Sequence, residues 1–260
     1  MQDGSLIPRF GRARRDPALA VLEGFHPLKH ALRFGAQLEL LVTEDKDKLT
    51  QLAAQLAPDQ RERMMEMAHG VDKDVFQQLA PLAPSTGVIS LAVRPAIDLP
   101  QALQARRDTP VILLEDPRDL GNMGACVRVA AAADAAAVLT TGTHDPWHPD
   151  AVRGAAGLHF ALPVARLQTR DELAGLGRPL LAVDPDGEEL DPSALDPSAV
   201  LAFGTERYGL SDELSKRADA QISIPMRPGV SSLNLATSVA ALLFAWRLSR
   251  SSGQDSRSQT

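Results

Sequence analysis

Three short stretches in the C-terminal half of this chain combine glycines with polar side chains at spacings that suit a ligand site. The first is Asn122-Met123-Gly124 with Arg128 beyond it. The second is Gly204-Thr205-Glu206 followed by Gly209-Leu210-Ser211, and the third is Ile224-Pro225-Met226 followed by Ser232-Leu233-Asn234. Each comes after an apolar run of strand character: Val111–Glu115, Val200–Phe203 and Gln221–Ile224. Parallel sheets bind small molecules beyond the carboxyl ends of their strands, so all three loops fall where such a ligand would sit. Ser232 and Asn234 also open an apolar helix, whose first turn offers unpaired N–H groups and partial positive charge. Ser and Asn are ordinary N-caps as well, so the third stretch carries weight only beside the other two. Arg128 is flanked by Ala125, Val127, Ala130 and Ala131, so its surroundings read as packed and its guanidinium as paired with an anion. Glu206 is either a surface carboxylate or a partner for a cation beside the ligand.

The elements that must hold these loops alternate regularly. Strand-like runs at Val111–Glu115, Ala137–Thr141, Phe160–Val164, Leu180–Val183, Val200–Phe203 and Gln221–Ile224 are separated by helix-like runs. The helices are expected at Met123–Ala133, Pro149–Ala156, Arg170–Leu176, Ser211–Arg217 and Ser232–Leu248. This pattern predicts an α/β domain, a mostly parallel sheet with helices on both faces, over residues 110–249. Upstream, residues 17–95 read as a small α/β domain. Its expected elements are an apolar helical stripe from Leu19 to Leu32, strands at Leu38–Val42 and Gly87–Val93, and helices at Leu49–Leu56 and Val75–Leu82. Residues 96–109, which follow Pro95 and contain Pro100 and Arg106-Arg107, form the expected linker. Residues 1–16, bearing Arg9, Arg12, Arg14 and Arg15, are expected as a flexible arm, and 250–260 as a disordered polar tail.

Composition narrows the class. A formal charge of −6 over 260 residues argues against a globally basic nucleic-acid binder, but leaves room for a local basic face. Arg9–Arg15, Arg33, Arg106, Arg107 and Arg153 are the candidates for meeting phosphates. The single cysteine, Cys126, leaves no internal disulfide, reads as a buried apolar thiol, and fits a cytoplasmic location. No stretch suits a membrane span or a signal peptide. His144 and His148 lie in a proline-bearing loop, so no metal is expected, and His26 and His30 read as a solvent or RNA-facing helix face. Trp147 either stacks a base or anchors its loop. The strand at 111–115 lacks the G-x-G-x-x-G turn of dinucleotide enzymes.

Taken in series, Asn122-x-Gly124-x-x-x-Arg128, Gly204-x-Glu206-x-x-Gly209-Leu210-Ser211 and Ile224-Pro225-Met226…Ser232-Leu233-Asn234 resemble the three motifs of the SpoU/TrmH family, within the SPOUT class. The segment Asp145 to Gly157 is similar to that family's loop after its second strand, and Glu23-Gly24-Phe25-His26 to the L30e-like substrate-binding domain of many members. The resemblance implies an S-adenosylmethionine-dependent methyltransferase acting on an RNA ribose 2′-hydroxyl, rRNA being favoured over tRNA. It also implies a deep trefoil knot in the C-terminal sheet and a homodimer with active sites at its interface. By position, Gly204, Thr205, Glu206, Ile224, Pro225, Met226, Leu233 and Asn234 would bind the cofactor. Asn122, Arg128, Glu206, Ser232 and Asn234 would surround the transferred methyl and the ribose. The alternative is a catalytically silent dimeric RNA-binding protein on the same scaffold.

Overall fold

The computed structural model describes residues 5–169, 171–205 and 208–255. In chain order the strands are β1 (Leu19–Glu23), β2 (Leu38–Thr43), β3 (Ala68–Gly70), β4 (Val88–Val93), β5 (Val111–Leu114), β6 (Ala137–Thr140), β7 (Val164–Arg166), β8 (Leu180–Glu189), β9 (Val200–Phe203) and β10 (Ala220–Ser223). The helices are α1 (Leu6–Ala13), α2 (Phe25–Arg33), α3 (Lys46–Leu56), α4 (Arg61–Met67), α5 (Lys73–Phe76), α6 (Leu99–Ala105), α7 (Leu120–Ala132), α8 (Pro149–Gly154), α9 (Asp171–Ala174), α10 (Asp212–Arg217) and α11 (Leu235–Asp255). Two units emerge, one of residues 1–96 with 147–161, the other of 97–146 with 162–260.

The first unit is a four-stranded sheet in the order β1-β4-β2-β3, with helices on both faces. Alternation along β2 and β4 decides which face each residue serves. Leu40, Val42, Ile89 and Leu91 meet Leu6, Phe10 and Phe76, whereas Leu41 and Val88 meet Phe25, Leu28, Leu49 and Met64. Residues expected as a flexible arm therefore include a packed helix. Leu6, Phe10 and Ala13 recur at helical spacing and are buried, while the arginines between them face outward. The helical stripe expected from Leu19 is also corrected, because Leu19–Glu23 pairs antiparallel with β4 as strand β1 and only then does α2 begin. A short run buried on both faces has no periodicity that separates strand from helix. The segment 147–161 joins this unit through α8 and a single 3-10 turn at Leu158–Phe160, where a strand was expected from Phe160.

The second unit carries a six-stranded sheet, all parallel, in the order β10-β8-β9-β5-β6-β7. Val111, Leu113, Leu139, Val200 and Ala202 cover one face with Leu103 of α6 and Leu214 of α10. Helices α7 and α11 pack against each other. Leu103 thus places α6 within this core, in the stretch expected to be a linker. The polar tail is helical through Asp255 as the end of α11, and 256–260 lie outside the described residues.

Two features of the second unit go beyond strand order. Along β8 the pairing with β10 jumps from Ala182↔Gln221 to Glu188↔Ile222, so residues 183–187 have no partner on β10, although Val183 still pairs with Phe203 of β9. The end of this stretch passes so close to β10 that a Cβ on Gly187 would sit 2.7 Å from the backbone of Gln221 and Ile222. At the opposite end of the strands, Arg178 is buried and donates to four carbonyls: Thr109 O at 3.0 Å, Ser198 O at 3.1 Å, Leu103 O at 2.6 Å and Arg106 O at 2.8 Å. One planar fork thus satisfies the end of α6 and two loops.

Arg178→Met would leave those carbonyls without donors, and the expected loss is about 3 kcal/mol of unfolding free energy in urea titration. Arg178→Lys should restore only part of it, because an ammonium cannot span the same acceptors. In the first unit His30 Nδ1 meets Ala156 O at 2.8 Å, and burial, aided by Lys29 and Arg33, holds the imidazole below its ordinary pKa. Unfolding restores the ordinary value of about 6.5, so the unfolded chain takes up the proton first as pH falls. Stability is therefore full above that value and declines below it. Chemical denaturation at successive pH values should show a shallower decline in His30→Gln.

Candidate active site

A cleft of about 360 Å³ opens at the carboxyl ends of β9 and β10, beside the middle of β8. Val183, Asp184 and Pro185 come from the stretch of β8 without a partner on β10, and Phe203, Gly204, Thr205 and Gly209 from the end of β9 and its loop. Ile224, Met226, Ser231, Ser232, Leu233, Leu235 and Ser238 come from the segment between β10 and α11 and from the start of that helix. Its size falls in the range of small-molecule sites, and its walls mix apolar side chains with hydroxyls. Asp184 is the one charged side chain among the described residues that line it.

The loop after β9 is closed by backbone. Thr205 and Gly209 exchange hydrogen bonds of 3.0 Å in both directions, and Tyr208 N donates to Thr205 Oγ1 at 3.1 Å. Any Cβ on Gly204 would lie 1.9 Å from the Gly209 carbonyl carbon and 2.1 Å from Leu210 N, so only glycine fits. The far end is fastened to β5. The buried Glu115 carboxylate accepts from Ser211 N at 2.7 Å and from Ser211 Oγ at 2.6 Å, while Ser211 Oγ accepts from Leu214 N at 3.2 Å and caps α10. Glu115 is absent from the residues that the sequence pattern singles out. Its signal is an acidic residue ending a wholly apolar strand.

The third motif is arranged differently from the expectation. Helix α11 begins at Leu235, not Ser232, because Asn234 is its N-cap: Asn234 Oδ1 accepts from Ala236 N at 3.0 Å and Thr237 N at 3.3 Å. Ser231, Ser232 and Leu233 are left non-helical and line the cleft. The free amide of Asn234 donates to Asn122 Oδ1 at 3.1 Å, tying the first motif to the third. Asn122 lies in the first turn of α7, where its own N–H is capped by Asp119 Oδ1 at 2.6 Å.

Of the residues assigned by pattern, Gly204, Thr205, Ile224, Met226, Ser232 and Leu233 line one cleft. Pro225 sits between two lining residues, and Asn122 and Asn234 form the adjoining amide pair. Glu206 lies outside the described residues. Arg128 differs most from expectation. It is exposed, on a stripe of α7 with Gly121 and Ala132, and has no ion-pair partner among the described residues. The packed face of α7 is formed instead by Met123, Gly124, Cys126, Val127 and Ala130.

The arginines expected to meet phosphates are mostly engaged. Arg9 pairs with Glu39 at 2.9 Å, Arg14 and Arg153 with the buried Glu23 at 2.6 and 2.7 Å, and Arg106 with Asp134 at 2.9 Å. Arg33 pairs with Asp59 at 2.7 Å and holds that carboxyl well below the usual range. Arg107 donates to Gly177 O at 2.9 Å, whereas Arg12 and Arg15 are exposed. Trp147 is an anchor, its ring centroid 5.0 Å from that of His159 and 5.2 Å from that of Phe160. His148 accepts from Asp150 N at 3.2 Å as the cap of α8, and no metal-binding group of His, Cys, Asp and Glu occurs among the described residues.

Residues 109–244 match the SpoU rRNA Methylase family. The chain belongs to that family. It is similar to a 23S rRNA (uridine(2479)-2′-O)-methyltransferase of Streptomyces viridochromogenes, 29% identical over 245 residues, covering 89% of this chain and 83% of the relative. It is also similar to the 23S rRNA (guanosine(2553)-2′-O)-methyltransferase RlmP of Bacillus subtilis, 25% identical over 232 residues, with 87% and 88% covered. Among solved structures the fold is shared with the SpoU methyltransferase AviRb from Streptomyces viridochromogenes in complex with AdoMet. The TM-score is 0.75 at 23% identity, over 94% of this chain and 98% of that one.

The Glu115–Ser211 clasp predicts a measurable coupling. Glu115→Gln turns one acceptor into a donor facing a donor and should cost about 2 kcal/mol. Ser211→Ala should cost a similar amount, and the double variant little more than either, because both break the same contacts. Strict additivity in a double-mutant cycle of urea midpoints would show that the two do not act as a unit.

Proposed function

We propose that this chain is an S-adenosylmethionine-dependent methyltransferase that modifies a ribose 2′-hydroxyl of ribosomal RNA. The observation that carries the reading is the convergence of three separated motifs: two line one cleft, and the Asn122–Asn234 hydrogen bond ties the first beside it. The ribosomal substrate is supported by the family and by relatives named for 23S rRNA 2′-O-methylation.

The lining fits this cofactor. Ile224, Met226 and Leu233 offer apolar walls for an adenine, while Thr205, Ser231 and Ser232 offer hydroxyls for the ribose and the amino-acid end. Bound there, the cofactor supplies an electrophilic methyl on a sulfonium. The protein must then hold the acceptor in line with it and exclude water, which is worth several orders of magnitude in rate. A cofactor held by these residues would supply the methyl to the RNA 2′-oxygen, and the chain's own part would be to align that oxygen and let its proton depart. Asn122 and Asn234, held by one hydrogen bond, orient the ribose with Ser232, and Glu206 is assigned to the same role by its motif position alone. Arg128 stabilises the developing alkoxide; a guanidinium keeps its proton and does not act as base.

Arg128 does not line its own cleft, which favours a homodimer in which it reaches the partner's. A surface for such pairing exists. Thr237, Ala241, Phe244 and Leu248 form an exposed stripe on α11, Leu248 being 66% exposed, and Val230 and Leu233 are exposed near the cleft mouth. The knot of the SPOUT class is assigned from the family alone. The first unit is assigned the RNA-binding role of an L30e-like domain. Among the described residues no helix is long and apolar enough to cross a membrane, in keeping with a cytoplasmic enzyme.

Arg128→Ala should bind S-adenosylmethionine within about twofold of the parent chain by calorimetry. It should lose on the order of a hundredfold or more in methyl transfer to ribosomal RNA. Turnover close to normal in a radiolabelled-methyl assay would remove Arg128 from the chemistry. Mapping 2′-O-methyl sites in cellular RNA with and without the gene identifies the nucleotide, and an unchanged map would sink the assignment.

A further inference from the structure

The cleft of the methyltransferase reading contains one charge among its described lining residues, the Asp184 carboxylate. Its position is well fixed. Asp184 lies where β8 leaves its pairing with β10, and its Oδ1 accepts from Asp186 N at 2.9 Å, closing a turn. Pro185 follows and restricts Asp184 to extended backbone. Asp184 is half-buried, so its charge acts across a medium less screening than bulk water.

The reaction changes the charge of what occupies this cleft. S-adenosylmethionine carries a sulfonium, an ammonium and a carboxylate, a net positive charge. When the methyl passes to the 2′-oxygen, the sulfur keeps the carbon–sulfur electron pair and becomes a neutral thioether. S-adenosylhomocysteine therefore has no net charge, while the two molecules otherwise differ by one methyl group. Ser, Thr and backbone contacts in the cleft act on both molecules alike. A fixed carboxylate does not.

We propose that Asp184 makes the cleft prefer the cationic methyl donor over the neutral demethylated product, and so favours product release after each transfer. This rests on reading the cleft as the S-adenosylmethionine site. A carboxylate within several ångströms of the sulfonium should be worth about tenfold in affinity. Asp184→Asn is a clean probe, because the amide oxygen can still accept from Asp186 N and keep the turn. Asp186 is exposed and is not among the lining residues, so Asp186→Asn serves as the control.

Calorimetric titration of the full chain and both variants would use S-adenosylmethionine, S-adenosylhomocysteine and the analogue bearing an amine in place of the sulfonium methyl. Asp184→Asn should weaken the donor and the cationic analogue about tenfold and the neutral product less than about twofold. Asp186→Asn should leave the ratios unchanged. Equal weakening of all three ligands would overturn the proposal and make Asp184 a neutral contact, and an unchanged ratio would overturn it as well. In the parent chain alone, equal affinity for the cationic analogue and the neutral product would do the same. Failure of the parent chain to bind any of the three would instead refute the cofactor site itself.

Discussion

The approach of Gly204 to the Gly209–Leu210 peptide is the contact on which the rest of the site depends. No side chain could stand at residue 204, since its first carbon would lie 1.9 Å from another backbone atom. That closeness turns the end of β9 into a narrow hairpin, and the hairpin forms one wall of the cleft. Glu115 then fastens the hairpin's exit to the neighbouring strand through Ser211. The order matters physically. The Thr205–Gly209 pairing closes the loop's ends, and one buried carboxylate accepting from two Ser211 donors fixes its exit.

Asn234 fills the corresponding role on the other side. Its side-chain oxygen begins α11, and its amide holds Asn122 on α7. A single side chain therefore sets both where the helix starts and where the first motif sits. The displaced start also frees Ser231, Ser232 and Leu233 from helical geometry, so that they can line the cleft. Had the helix begun at Ser232, these three would have turned to different faces within one turn.

Much of this was legible in the sequence, though unevenly. Apart from β7, which starts only where the run Phe160–Val164 was expected to end, the strands of the second unit begin within a residue of where apolar runs placed them, because buried parallel strands are largely apolar. The motif residues could be picked out, since glycines and amides at strand ends are seldom explained by packing. The first unit was harder. In α1 the four arginines near Leu6, Phe10 and Ala13 mask a spacing that the burial makes plain, and in β1 continuous apolarity hides the period. Residues 147–161 interrupt the second unit's strand order yet pack with the first, a long-range choice that no local pattern encodes. Val127 and Ala130 made the surroundings of Arg128 read as packed, but on a helix its neighbours are 124, 125, 131 and 132, and Arg128 shares its exposure with Ala132.

Charge placement follows from the same economy of contacts. A chain with an acidic balance that must meet RNA would be expected to leave its arginines open, yet of the eight expected to meet phosphates Arg9, Arg14, Arg33, Arg106 and Arg153 are matched to carboxylates. Glu23, nearly inaccessible, accepts from both Arg14 and Arg153 and so joins α1, β1 and α8 within one unit. These guanidiniums organise protein before they could organise RNA, and breaking such a pair would strand a buried carboxylate. The cofactor cleft is built by the opposite rule. Its described walls are apolar carbon, hydroxyls and backbone, so the one carboxylate there has no competing cation among the lining residues. A charge left unmatched inside a cleft keeps its field for whatever enters, and a ligand that loses its positive charge during the reaction loses that attraction with it.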